Sequence, residues 1–274
     1  MKKNIFVGLV AALAMCAFVA TGMVSAGDEV EFAYKYTEGS SQSYQIKFNQ
    51  EADFGQFSMS ALVDMEITEN CTKATDSTYT LEWTFDKVDA SRVMFENMQT
   101  DPMTDNLVGQ KVTFDVDPTG EVTDVKPVSY IEGWEQAQET VSRIIESSFP
   151  TLPNKGVAVG GDWDENETET TDEGTEVTSS GKYHYKENKT EGGRDCAFVE
   201  GEVEMTIGGK VAGPQGEMDS DGDGKGEFEM FFDSKAGVVV KLKGKIEINM
   251  TLSPTGGGDS VETSVGFETE KKLK

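Results

Sequence analysis

From residue 27 onward, apolar and polar residues alternate in long runs, the mark of antiparallel strands with one buried face. Val30, Phe32, Tyr34 and Tyr36 alternate with charged or small residues, Glu38-Gly39-Ser40 turns the chain, and Tyr44, Ile46 and Phe48 resume the pattern. A hairpin is expected over 30–48. The same period runs through Met59, Ala61, Val63, Met65 and Ile67, then through Tyr79, Leu81, Trp83 and Phe85. Val112, Phe114 and Val116 lead into the turn Asp117-Pro118-Thr119-Gly120, and a strand with Val122 and Val125 follows. Further strands are expected at about 174–187, 195–207, 227–233, 237–252 and 260–269. The turn Asp233-Ser234-Lys235-Ala236-Gly237 echoes the earlier one, and each carries the Gly that a hairpin loop uses where φ must be positive.

One segment changes period. From Tyr130 to Phe149 the apolar residues Tyr130, Ile131, Trp134, Ala137, Val141, Ile144, Ile145 and Phe149 recur at spacings of three and four, which predicts one long amphipathic helix at about 130–149. Pro150 and Pro153 end it, because proline cannot continue the hydrogen-bond ladder. The expected fold is therefore mainly β: a curved antiparallel sheet or half-open barrel, with the helix packed on its concave face. Residues 27–274 read as a single β-rich domain, with one meander at 27–128, the helix, and a second meander at 157–274.

The first 26 residues belong to a different class of signal. Lys2 and Lys3 precede an uncharged run from Ile5 to Val24, and Val24-Ser25-Ala26 offers the small residues of a cleavage site, so 1–26 reads as a signal peptide. An uncleaved anchor is the alternative, and a lipoprotein cysteine at Cys16 a third reading, though Met15 stands where that processing wants a small residue. No later stretch is apolar enough to span a membrane. An exported protein of the periplasm or cell exterior follows.

Charge narrows the partners. The 274-residue chain has 24 Lys+Arg against 50 Asp+Glu, a formal net charge of -26, which becomes -28 once Lys2 and Lys3 leave. Such a polyanion repels phosphate backbones, so nucleic acid is excluded as a partner. Cys71 and Cys196 would remain after signal removal, and an even pair in an exported protein predicts one disulfide. Two free, buried thiols are the other reading, and no C-x-x-C suggests redox chemistry or zinc.

Asp219-Ser220-Asp221-Gly222-Asp223-Gly224 matches the first half of a calcium loop, with carboxylates at alternate positions and Gly sixth. Asp219, Asp221 and Asp223 are thus candidate ligands, and Ca²⁺ is the one cofactor the sequence suggests. The twelfth position holds Met230 rather than a bidentate Glu. The surrounding stretch 208–226 contains seven glycines and reads equally as a solvated acidic loop. His184, the single histidine, lies in an alternating strand, so Ser-His-Asp and Cys-His chemistry are hard to build and multi-histidine metal sites impossible. The acidic run from Asp162 to Glu176 reads as a solvated edge or loop.

Asn106-Leu107-Val108-Gly109-Gln110-Lys111-Val112-Thr113-Phe114, Asp117-Pro118-Thr119-Gly120-Glu121-Val122, then Leu152-Pro153 and Val159-Gly160-Gly161-Asp162-Trp163 resemble a family of exported bacterial proteins known as a domain of unknown function. The resemblance implies secretion and a β-rich fold, and no activity. In order of elements the chain also resembles, more loosely, the half-open barrels of periplasmic lipoprotein carriers, in which a sheet wraps a helix and shelters an acyl chain.

No catalytic residues are expected. The first functional expectation is a non-enzymatic envelope protein sheltering an apolar or lipid ligand between sheet and helix, with Phe32, Tyr34, Phe114, Trp134, Ile145 and Phe149 at the ligand. The second is a structural or interaction protein of the cell exterior with a calcium-stabilised loop at 219–223.

Overall fold

The computed structural model describes residues 29–55, 58–94, 97–100, 106–153, 155–170, 175–213, 216–255 and 259–274. The expected signal peptide and Cys16 lie outside them. The strands are β1 (Val30–Glu31), β2 (Ser41–Asp53), β3 (Ser58–Ala74), β4 (Tyr79–Met94), β5 (Asn97–Thr100), β6 (Lys111–Val116) and β7 (Val122–Pro127). Helix α1 (Trp134–Ser147) comes next. After it come β8 (Gly156–Val157), β9 (Asp162–Thr170), β10 (Glu176–Glu191), β11 (Arg194–Gly213), β12 (Gly216–Asp233), β13 (Val238–Pro254) and β14 (Val261–Leu273).

Alternation in sequence becomes alternation in space. In β2 the residues Tyr44, Ile46 and Phe48 are buried while their neighbours face outward, and in β3 the buried set is Val63, Met65, Ile67, Glu69 and Cys71. A bulge in β4 opposite Glu66 and Ile67 shifts the phase, so the buried series passes from Phe85 to Val88. All the long strands join one open antiparallel sheet in the order β7-β6-β4-β3-β2-β14-β13-β12-β11-β10-β9, with β5 beside β4. The first meander and the second meet where β2 pairs with β14.

The sheet is strongly curled. β2 and β10 stand five steps apart in that order, about 24 Å in a flat sheet at ~4.8 Å per step. Yet Phe48 of β2 and Tyr183 of β10 line one cavity of about 360 Å³. Inside the curl, Trp83, Phe114 and Phe149 pack on one another, Phe149 packs on Tyr34, and Tyr34 on Phe232, so one core joins both halves of the sheet.

Three expectations need correction. The hairpin over 30–48 does not form. Of its first arm only Val30–Glu31 is strand, paired with β8, and the residues between it and β2 cross the trough instead. There the Tyr34 amide donates to the Pro118 carbonyl and the Lys35 amide to the Gly237 carbonyl, tying the segment to the two similar turns. Gly120 (φ 101°) and Gly237 (φ 67°) are required at those turns. A Cβ would come within 2.8 Å of the Tyr34 ring at the first and 2.5 Å of the Lys35 nitrogen at the second.

The helix is shorter than 130–149, because Gly133 (φ 77°) sets its start, and Tyr130 lies outside it with 87% exposure. Val141, Ile144, Ile145 and Phe149 are buried against the sheet.

Finally, Cys71 and Cys196 are both free and buried. They lie on β3 and β11, five steps apart, and each thiol donates to a carbonyl of its own strand, Lys73 at 3.3 Å and Arg194 at 3.6 Å. The expected disulfide is not present.

Candidate ligand cavity

The cavity floor is built from β-sheet register. Paired residues Tyr183, Gly201, Phe228, Gly244, Thr269 and Phe48 form one row across five strand junctions, and every one faces the trough. The glycines let neighbouring side chains lie flat across it. A Cβ on Gly201 would fall 2.1 Å from the Phe228 ring, so this position must be bare for the ring to lie across β11. The next row, Val203, Gly226, Ile246 and Phe267, repeats the device, since a Cβ on Gly226 would meet Ile246 at 2.7 Å.

The roof comes from Arg143, Glu146, Ser147 and Phe149 of the helical segment, the Gly120–Val122 turn region, and Pro150 with Thr151. Between floor and roof lies the 360 Å³ space, walled deeper in by Met205, Leu242 and Ile248. Polar groups are few. The Tyr183 hydroxyl donates to Glu165 at 3.2 Å, and burial pushes both the Glu165 carboxyl and the Tyr183 phenol above their ordinary ranges. The Thr269 hydroxyl oxygen is buried without a hydrogen-bond partner.

Glycine spacing also explains the candidate calcium motif. Residues 216–233 form a strand, not a loop, with Ser220, Gly222 and Gly224 on the trough face and Asp219, Asp221 and Asp223 on the outer face. Side chains at alternate positions of one strand stand about 7 Å apart and do not converge on one ion. Among the described residues no group of three His, Cys, Asp or Glu is placed to hold a metal. Asp221 and Asp223 instead border an open outer groove of about 940 Å³ with Asp53, Glu176 and Glu262. A second outer groove, about 1200 Å³, is lined by a Lys–Glu ladder including Lys182, Glu202, Glu227 and Lys245. Both are larger than the inner cavity, but their walls are charged and open to solvent.

The six residues expected at a ligand divide unevenly. Phe32, Tyr34, Phe114 and Ile145 are no more than 1% exposed and pack against other core side chains, so they fill the space between helix and sheet rather than line it. Trp134 is half-buried at the helix start. Phe149 alone of the six borders the cavity. Sequence reasoning missed Thr269, Phe228 and the floor glycines. The available signal was a run of glycines at alternate positions in register with bulky residues of the next strand.

Against Phe149, a lining residue, sits a buried polar cluster. Glu69 accepts hydrogen bonds from Trp83 Nε1 at 2.8 Å and from the Tyr36 hydroxyl at 3.1 Å. Lys271, 1% exposed, lies 4.0 Å from Glu69 and donates to the Ser148 carbonyl at the end of α1 (3.2 Å). Its ammonium lies 4.2 Å from the ring centres of both Tyr44 and Phe149. Burial pulls its pKa below the ordinary lysine value, against the opposing pull of Glu69. His184, with Asp162 beside it, faces outward and takes no part in either site.

No helix among the described residues is long and apolar enough to cross a membrane. No protein-family model matches the chain, and no curated protein matches it, so the likeness of 106–163 to an exported family rests on those motifs alone. Among solved structures, one described as "Lipid-protein interactions in lipovitellin" is similar over 88% of this chain at 13% identity, with a TM-score of 0.53. The chain spans 25% of that protein's length. An outer membrane lipoprotein-sorting protein domain from Vibrio parahaemolyticus aligns over 85% of this chain and 83% of its own at 9% identity, with a TM-score of 0.16. The lipovitellin likeness shows a shared fold.

Proposed function

We propose that this protein is an exported, non-catalytic binding protein that shelters a single apolar chain between the curled sheet and the C-terminal end of α1. The observation that carries this reading is the 360 Å³ cavity, whose floor and walls are mostly Phe, Ile, Val, Met and Gly. Ligand sites usually occupy about 300–1,000 Å³, so this one suits one acyl chain rather than a multi-chain lipid. The lipovitellin structure, which shares the fold and whose description names lipid–protein interactions, supports the reading. Export rests on the residues at 1–26.

The test is displacement of a fluorescent fatty probe from lipid-stripped protein by saturated chains of increasing length. At ~0.8 kcal/mol per buried methylene, affinity should rise about fourfold per carbon and then level off when the cavity is full. Val203→Phe, which intrudes on the floor, should move the plateau to shorter chains. Failure of every chain to displace the probe, with no lipid carried through purification, would refute the proposal.

A further inference from the structure

We infer that the free edge of β9 docks an extended, basic segment of a partner protein, which adds to the sheet as one more strand with lysine or arginine at alternate positions. This stands apart from the lipid reading above. The first observation is that the two edges of the sheet are built differently. β7, at one edge, is six residues long, carries a positive φ at Asp124 (62°) beside a register shift, and closes on Pro127. Short length, irregular backbone and proline are the devices that keep an edge from pairing. β9, at the other, runs nine residues from Asp162 to Thr170 in unbroken register with β10 and holds no proline and no lysine. Its outer edge has no strand beside it among the described residues.

The second observation is the direction of its backbone groups. The Tyr185 amide donates to the Gly161 carbonyl at 3.0 Å, in the register that sets His184 opposite Asp162. Antiparallel pairs alternate between bonded and non-bonded, so Trp163, Glu165, Glu167 and Glu169 direct their backbone groups to β10. Asp162, Asp164, Asn166, Thr168 and Thr170 turn theirs to the open side, at a spacing of about 7 Å. The same five residues are exposed on the outer face. A strand docked here exchanges bonds with them, and residues so paired have their side chains on one face.

The third observation is charge, which selects the occupant. Asp162, Asp164, Glu165, Glu167 and Glu169 put five carboxylates in nine residues, with no cation between them. Two such edges laid together crowd five carboxylates against five, so a second copy of the chain is repelled. Asp164 is exposed, and Asp162 keeps 71% of its side chain exposed although it contacts His184. A partner with lysine or arginine opposite them adds cross-strand ion pairs to the backbone bonds. Its intervening residues fall on the face of Trp163, which favours apolar side chains there.

The experiment titrates the chain from residue 27 onward with labelled nine-residue peptides at about 0.15 M salt, read by fluorescence anisotropy. A peptide alternating lysine and valine should bind about tenfold tighter than one of the same composition with its lysines in one block, which reports net charge alone. N-methylation of the lysine amides, which face β9 in the docked strand, should weaken binding at least tenfold, and N-methylation of the valine amides should leave it unchanged, since each lost hydrogen bond is worth about fivefold. Asn166→Pro removes one outward amide and no bond to β10, so it should weaken the alternating peptide about fivefold with little change in the urea midpoint. Should that variant unfold, the methylated peptides, which leave the protein unaltered, decide alone. Equal binding by the alternating and block peptides, or by the two methylated ones, overturns the inference, as does no binding at all. Self-association of the chain that Asn166→Pro abolishes overturns it too, by making the edge an interface between copies.

Discussion

Replacing Lys271 by Met offers the sharpest measure of what holds the helix to the sheet. Methionine keeps most of the stem that packs between Tyr44 and Phe149 but removes the ammonium. Two groups then lose a partner: the Ser148 carbonyl at the end of α1, and the Glu69 carboxylate, which is 1% exposed and retains, among the described residues, Trp83 and Tyr36 as donors. The bond from a charged donor is worth about 1.5–3 kcal/mol. Stranding a buried carboxylate by removing its counter-charge brings typical totals to about 3–5 kcal/mol. The assay is urea unfolding followed by tryptophan fluorescence, in a cycle with Glu69→Gln and the double variant. Because Gln still accepts from Trp83 and Tyr36 without a charge, the double variant should recover most of the loss and fall within about 2 kcal/mol of wild type. A single-variant loss under about 1 kcal/mol, or a double variant equal to the sum of the two singles, would refute the idea that charge coupling governs this cluster.

Three further outcomes are expected. Burial raises the Glu165 pKa, so its contribution to stability is full below the unfolded value near 4.5 and is lost as pH rises through the folded one. Glu165→Gln should therefore match wild type near pH 4 and exceed it near pH 7, and equal urea midpoints at both would contradict this. Burial, aided by Asp233, pushes the Cys196 thiol up to about 11. At pH 8 roughly one molecule in a thousand then carries the thiolate, so a thiol reagent should modify this residue far more slowly in folded than in unfolded protein, and non-reducing mass analysis should find both thiols free. Gly201→Ala puts a Cβ on the Phe228 ring and should cost about 1–3 kcal/mol, measured by thermal unfolding, while reducing probe binding.

Much of the sheet was legible because period-2 alternation reports directly which side chains face inward. Tyr44 to Phe48, Val63 to Ile67 and Tyr79 to Phe85 all become buried strand faces. Alternation does not report what the backbone bonds to, which is why Phe32 and Tyr34 read as a strand although the Tyr34 and Lys35 amides donate to two turns. The Gly-rich stretch misled for another reason. Glycine is depleted in strands, so 208–226 reads as a loop, yet here the missing side chains of β12 are replaced by Ile246, Ile248 and Met250 reaching over from β13. The cavity was illegible because its lining comes from strands and a helix end that only the register and the curl bring together. The disulfide failed because cysteine count carries no distance, and curling of the sheet does not bring β3 to β11 at those positions.

The pairing of β2 with β14 has a consequence for how the chain reaches this state. Tyr44 opposes Leu273 and Asp53 opposes Ser264, so the junction in mid-sheet joins residues more than two hundred positions apart. Contacts of such sequence separation close late, because loop entropy must be overcome before they form. Until β14 arrives, β2 presents a thirteen-residue open edge with Tyr44, Ile46 and Phe48 on one face, beside the already local β2–β3 hairpin. Such an edge is a template for pairing with another copy. The slow step of folding and the window for aggregation are thus the same interval, and a chain truncated within 261–273 should accumulate as aggregate rather than as a smaller folded sheet.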